Sequence, residues 1–222
     1  MTPPKPKLPG GSAQPPIVPA HDLEHVAALF DRFGLSFIVR RLPPPMIWAV
    51  YVFVNGFVTI ALLALLAVAS GVPFVFPSLG PTAYLLFFSP RSESSSPHNT
   101  LIGHAIGLAC GYAAFRFITA PGSVTASHGM FDWRAALAAA LSLATTGALM
   151  ILLNASHPPA GATTLIVSLG IITKPADLII IEIALFLLII QAFCINRLAG
   201  LPFPVWKHRR PLSIQPERPG TQ

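Results

Sequence analysis

Charge is what this sequence has least of. Asp, Glu, Lys and Arg make up 10% of its 222 residues, against roughly 25% in soluble domains, which argues against an ordinary soluble fold. Two cysteines, Cys110 and Cys194, both lie in apolar stretches and offer neither a disulfide framework nor a zinc pattern. The apolar region has no carboxylate pair, Cys/His dyad, metal-ligand cluster or phosphate-binding glycine loop, so no enzyme activity, metal or cofactor is expected. What is abundant is hydrophobic residue, 53% of the total, which excludes a wholly disordered chain.

The few charges are unevenly placed. Met46 to Pro90 is a run of 45 residues without a charged side chain, and Ala135 to Thr173 another of 39; about 20 apolar residues already cross a bilayer. Between Met46 and Asn196 there are four charges of each sign, so the net +6 divides into +2 over residues 1–45 and +4 over residues 197–222. By the positive-inside tendency both ends are cytoplasmic and the number of crossings is even. Arg197, Lys207, Arg209 and Arg210 read as an anchor to anionic lipid, so the bilayer is a partner and nucleic acid is not.

Helical periodicity and helix breakers divide the chain. Residues 1–20, rich in proline and without the apolar core of a signal peptide, are expected to be a disordered cytoplasmic tail. Residues 21–42 contain an amphipathic helix with Leu23, Val26, Ala27, Phe30 and Phe33 on one face and Asp22, Glu24, Asp31 and Arg32 mostly elsewhere. It would lie on the membrane surface, with Arg40 and Arg41 at the headgroups, or on the cytoplasmic ends of the spans. The transmembrane domain, residues 43–197, opens on Pro43, Pro44 and Pro45, since proline suits a first helical turn. It has long apolar helices over Ile47–Ala69, Leu101–Ile118, Ala135–Leu153 and Leu178–Ile195, and shorter pieces broken near their starts over Val72–Phe88 and Pro158–Ile172. Residues 198–222 are a basic cytoplasmic tail. The expected fold class is an all-α membrane protein with four long transmembrane helices and two short broken or re-entrant ones.

The two short pieces match. Phe76-Pro77-Ser78-Leu79-Gly80-Pro81-Thr82 and His157-Pro158-Pro159-Ala160-Gly161-Ala162-Thr163 share Pro, Gly and Thr at the same three positions. Each lies between two long helices, which gives a long, short, long unit twice, over about residues 46–119 and 134–197. Discontinuous segments at corresponding places in two repeats point to a transport site. Short pieces that cross would make six spans and inverted halves; short pieces that re-enter would make four spans and parallel halves.

Ser156-His157-Pro158-Pro159-Ala160-Gly161-Ala162-Thr163-Thr164 resembles the signature of the HPP family of small integral membrane proteins. The resemblance covers about residues 45 to 200, including Phe76–Leu86, Gly103-His104 and Asn196-Arg197. It implies a multi-pass membrane protein, usually described with four transmembrane helices, and a bacterial inner membrane as the location. Some members are associated with nitrite transport, which makes a small inorganic anion the expected substrate and nitrite its first candidate. Others carry appended CBS domains, for which the 26 residues from Arg197 leave no room.

Residue by residue, the motif has a physical reading of its own. With Ser156 or His157 as N-cap, the prolines would start a helix whose Ala160, Gly161 and Ala162 amides stay open, and such an end attracts anions. Gly161 permits close approach, and Thr163 and Thr164 add hydroxyls. The matching end at Pro77, with Ser78, Gly80 and Thr82, could face it across the repeat interface. The expected binding residues are therefore Ser156, His157, Pro158, Pro159, Gly161, Thr163 and Thr164, with Pro77, Ser78, Gly80 and Thr82. The competing reading is that these breakers only allow tight packing, in a membrane sensor or assembly module that transports nothing.

Ionisable residues at membrane depth are functional candidates. His157, His104 and Glu182 are those expected to couple protons, with Glu182 paired to a histidine or lying near the headgroups. Gly103, Gly107 and Gly111 share one face of their helix and read as packing. With so few helices, a homo-oligomer joins the bilayer and the anion among the expected partners.

Overall fold

The computed structural model describes residues 19–33, 42–119 and 132–207. The proline-rich tail up to Val18, Arg40, Arg41, Arg209 and Arg210 lie outside them. Seven α-helices occur among the described residues: α1 Ala20–Arg32, α2 Pro44–Ser70, α3 Leu79–Phe88, α4 Pro97–Ala114, α5 Trp133–Leu152, α6 Ala160–Ser168 and α7 Pro175–Leu198. A π turn, Phe115–Thr119, extends α4.

Local sequence explains the long helices. α2, α4 and α7 each begin on proline, whose missing N–H costs nothing in a first turn. Ser96 and Asp132 cap α4 and α5 by accepting from the amides of Asn99 and Ala135. α2 stops at Gly71, which takes φ +70° and returns its N–H to the Ala67 carbonyl. α2, α4 with its π turn, α5 and α7 are each long and apolar enough to cross a membrane. At 10 and 9 residues, α3 and α6 are only about 15 Å long, half of a hydrocarbon core.

The ends of the helices show how the short ones are used. Tyr51, two turns into α2, donates to Asn196 Oδ1 at the end of α7 (2.8 Å), and Asn196 Nδ2 donates to the Leu86 carbonyl at the end of α3 (3.2 Å). At the start of α4, the His98 amide donates to the Trp206 carbonyl beyond α7, and Asn99 Nδ2 to the Ser156 carbonyl beyond α5. The starts of α2 and α4 thus share one end of the bundle with the finishes of α3, α5 and α7. The far end holds the finishes of α4 and α6, where Thr119 Oγ1 donates to the Ser168 carbonyl. Since α2 leaves the first end and α4 starts there again, residues 71–96 must travel back through the bundle. Residues 153–174 traverse it in the other direction. The short segments therefore cross the bundle, which the chain traverses six times.

The halves are inverted. α2, α3 and α4 run away, back and away, whereas α5, α6 and α7 run back, away and back. Exchanging α2 with α5, α3 with α6 and α4 with α7 carries the main packed pairs into one another. α2 on α3 becomes α5 on α6, α3 on α7 becomes α6 on α4, α2 on α7 becomes α5 on α4, and α4 on α7 maps to itself.

α1 rests on the first end of this bundle, with Val26 and Phe30 buried. Asp22, expected on its polar face, is buried as well, because Arg91 from the loop after α3 pairs with it. Phe33 departs from the expected apolar stripe: it lies just past the helix and is 71% exposed. Across the bundle, the outer face of α2 exposes Phe53, Phe57, Leu65 and Val68. Apolar side chains left uncovered on a helix this hydrophobic are the mark of lipid contact.

Six passes put Val72 and Lys174 at one end and Glu93 and Lys207 at the other. In protein lacking Cys110 and Cys194, single cysteines at 72 and 174 should react with an impermeant maleimide from one side of the membrane, and those at 93 and 207 from the other. Reaction of 72 and 93 from the same side would restore the re-entrant arrangement.

Candidate functional site

The HPP segment does not start its helix as an open anion hole. The N-cap of α6 is Pro159, already in helical conformation, and not Ser156 or His157. The amides of Ala160, Gly161 and Ala162 donate to the carbonyls of His157, Pro158 and Pro159 at 3.0, 3.0 and 3.1 Å. Leu79 likewise donates to the Phe76 carbonyl at 3.0 Å. The physical reason lies in the prolines: their fixed φ turns the chain helically one residue early, so its carbonyls reach the first amides in a tight 3₁₀-type turn. The expectation of free amides is corrected here.

What the two breaks bring together is a cluster of side chains. His104, His157, Thr82 and Thr164 have no exposed surface, and Thr163 and Thr146 have 1% each. Thr82 Oγ1 lies 3.1 Å from His104 Nε2, 3.2 Å from His157 Nε2 and 3.0 Å from the Ser78 carbonyl. His104 Nδ1 is 2.7 Å from Thr163 Oγ1, and His157 Nδ1 is 2.7 Å from the Ser94 carbonyl. The imidazole centroids are 5.0 Å apart. Thr164 donates to the Ala160 carbonyl and contacts Thr146 of α5 at 3.1 Å. Thr82 and Thr163, equivalent in the repeat, thus contact opposite edges of one imidazole.

Small residues make this possible. A Cβ on Gly103 would come within 2.7 Å of His157 Cβ, and one on Gly107 within 2.8 Å of both the Ala160 carbonyl oxygen and Thr164 Oγ1. At Gly111 it would meet the Thr164 carbonyl at 2.7 Å. The glycine row of α4 is the bed in which the HPP segment and α6 lie.

An open groove of about 670 Å³ lies beside the cluster at the end that carries α1, lined by Gly80, Pro81, Ser89, Pro158, Pro159 and Ser94, the residue whose carbonyl holds His157, among others. The two breaks therefore face each other across it. Two buried hydroxyls flank the cluster without a hydrogen-bond partner: Ser78 Oγ, one turn before Thr82, and Thr100 Oγ1, one turn before His104. Pro77 and Ser156 are exposed, and Gly161 packs against Leu143.

Glu182 joins neither histidine; one of its carboxyl oxygens is buried without a partner. It stands seven residues after Pro175, as His104 stands seven after Pro97. The inverted halves thus carry an ionisable residue at matching depth, measured from opposite ends. Thr146 and Ser94 contact the cluster and Thr100 lies one turn before His104; none of the three is expected from the sequence. Thr100 was within reach, because it lies four residues before His104 on the same helical face, whereas nothing local marks Ser94.

A multi-pass membrane protein of inverted repeats, with two broken crossings that meet in a buried His/Thr cluster, is the class that fold and site define. The family model described as HPP, transmembrane region, matches residues 42–204, and the chain belongs to that family. No curated protein and no solved structure matches it.

Gly107→Ala should lower stability by about 1–3 kcal/mol, the usual cost of overpacking, in reversible denaturation from detergent micelles. Gly147→Ala, whose Cβ would meet nothing within 4 Å, should leave it unchanged or slightly raised. Equal effects would show that α4 does not need its glycines.

Proposed function

We propose that the protein carries a small inorganic anion across the membrane together with a proton, nitrite being the first candidate. The observation that carries the reading is the meeting of two oppositely directed broken crossings at buried histidines beneath an open groove, since discontinuous segments of inverted repeats are where transporters place their sites. With the first amides of α6 occupied and every imidazole nitrogen partnered, the donors for the anion are the unused hydroxyls of Ser78 and Thr100. Histidine supplies the charge that lets an anion enter a dry interior. The charge bias of the tails supports cytoplasmic termini, and hence a groove that opens to the cytoplasm.

The occupied amides favour one rival, in which the motif is structural and the protein is a sensor or assembly module. Purified protein in proteoliposomes separates the two. Nitrite should enter faster than into empty vesicles, and faster still down an inward proton gradient, and His157→Ala should remove the gradient's effect. Uptake equal to that of empty vesicles would contradict transport, and an unchanged response in His157→Ala would take the proton role from that residue.

A further inference from the structure

The geometry points to Thr82 as a hydroxyl switch that lets the histidine pair take up one proton, at His157 Nε2. The Ser94 carbonyl only accepts, so His157 Nδ1 holds a hydrogen and donates to it. Thr82 has one hydrogen and two lone pairs for three neighbours: the Ser78 carbonyl, His104 Nε2 and His157 Nε2.

Two arrangements leave every group in the cluster satisfied. In the neutral one, Thr82 donates to His157 Nε2 and accepts from His104 Nε2–H, while Thr163 donates to His104 Nδ1. In the protonated one, His157 Nε2 has gained a hydrogen and donates it to Thr82, which still accepts from His104 and now donates to the Ser78 carbonyl. The N–H bond forms as an O–H bond of hydronium from the groove breaks, and a water molecule remains. Between the two states one hydroxyl hydrogen turns and no heavy atom moves. The alternative neutral state, with the hydrogen on His104 Nδ1, makes both Nε2 atoms compete for the single Thr82 hydrogen and leaves one bare.

One proton is the capacity, since two imidazolium rings 5.0 Å apart would repel in a medium of low dielectric. His104, from α4, is the titratable group facing His157. α3 and α6 present hydroxyls, and the loop presents a carbonyl while its Arg91 and Glu93 are exposed. Coupling of this proton to an anion rests on the proposed transport; the switch itself does not.

Nitrogen-15 NMR of imidazole-labelled full-length protein in micelles tests it without transport. At high pH the expected tautomers are Nδ1–H for His157 and Nε2–H for His104, and acidification should protonate His157 alone. A His157 Nε2–H tautomer, or simultaneous protonation of both rings, would overturn the switch. Thr82→Ser keeps the hydroxyl and should preserve this titration. Thr82→Val should weaken proton binding at His157 roughly tenfold, the usual scale for a buried donor left without its acceptor; a wild-type titration in that variant would also overturn it. Wild-type tautomers combined with no nitrite flux would sink the transport reading alone.

Discussion

The structure depends on one condition: two imidazoles inside a lipid-embedded bundle must find their partners within it. Away from water an unmatched donor or acceptor costs several kcal/mol, and this bundle buries two imidazoles together. They persist because each ring nitrogen has a partner, drawn from α3, α6 and the loop before α4, and because the Thr82 hydroxyl serves both rings. Two long helices could not have met this condition, since their backbone groups are spent on their own ladders. The breaks at Pro77 and Pro158 bring non-helical chain and short helices to the depth of His104.

The inverted arrangement follows from the same economy. Each half uses two full helices to cross and one interrupted segment to return, and the interrupted segments lie antiparallel, with α4 packed on α6 as α7 is on α3. The halves are not equal in chemistry. Where the second half has His157 the first has Phe76, buried in the main apolar core, and where α4 has His104 α7 has Glu182. One polar centre therefore lies toward the end that carries α1, and the Glu182 carboxylate lies toward the other.

Much of this was legible in the sequence, for physical reasons. Charge-free runs and proline starts locate the long helices to within a few residues, since length and hydropathy alone decide what can cross. The shared Pro, Gly and Thr identify the repeat, and the family resemblance agrees with the match over residues 42–204. Direction was not legible: whether residues 71–96 return or re-enter depends on contacts such as Tyr51 with Asn196, 145 residues apart. The amides of Ala160 to Ala162 also escaped, because residue types do not reveal that proline starts the helical turn early enough to occupy them. The burial of Asp22 depends on Arg91, a partner 69 residues further along the chain that local periodicity does not reveal.

The proposed transport requires a solute to pass the Thr82, His104 and His157 cluster, meeting Thr100 on one side and Ser78 on the other. The most direct measurement is thiol accessibility in membranes of known orientation, using Thr100→Cys and Ser78→Cys in protein without its native cysteines. The account predicts that Thr100→Cys reacts from the side that carries α1 and Ser78→Cys from the opposite side, each slowed by added nitrite. Two inert cysteines, or reactions that nitrite leaves untouched, would contradict it.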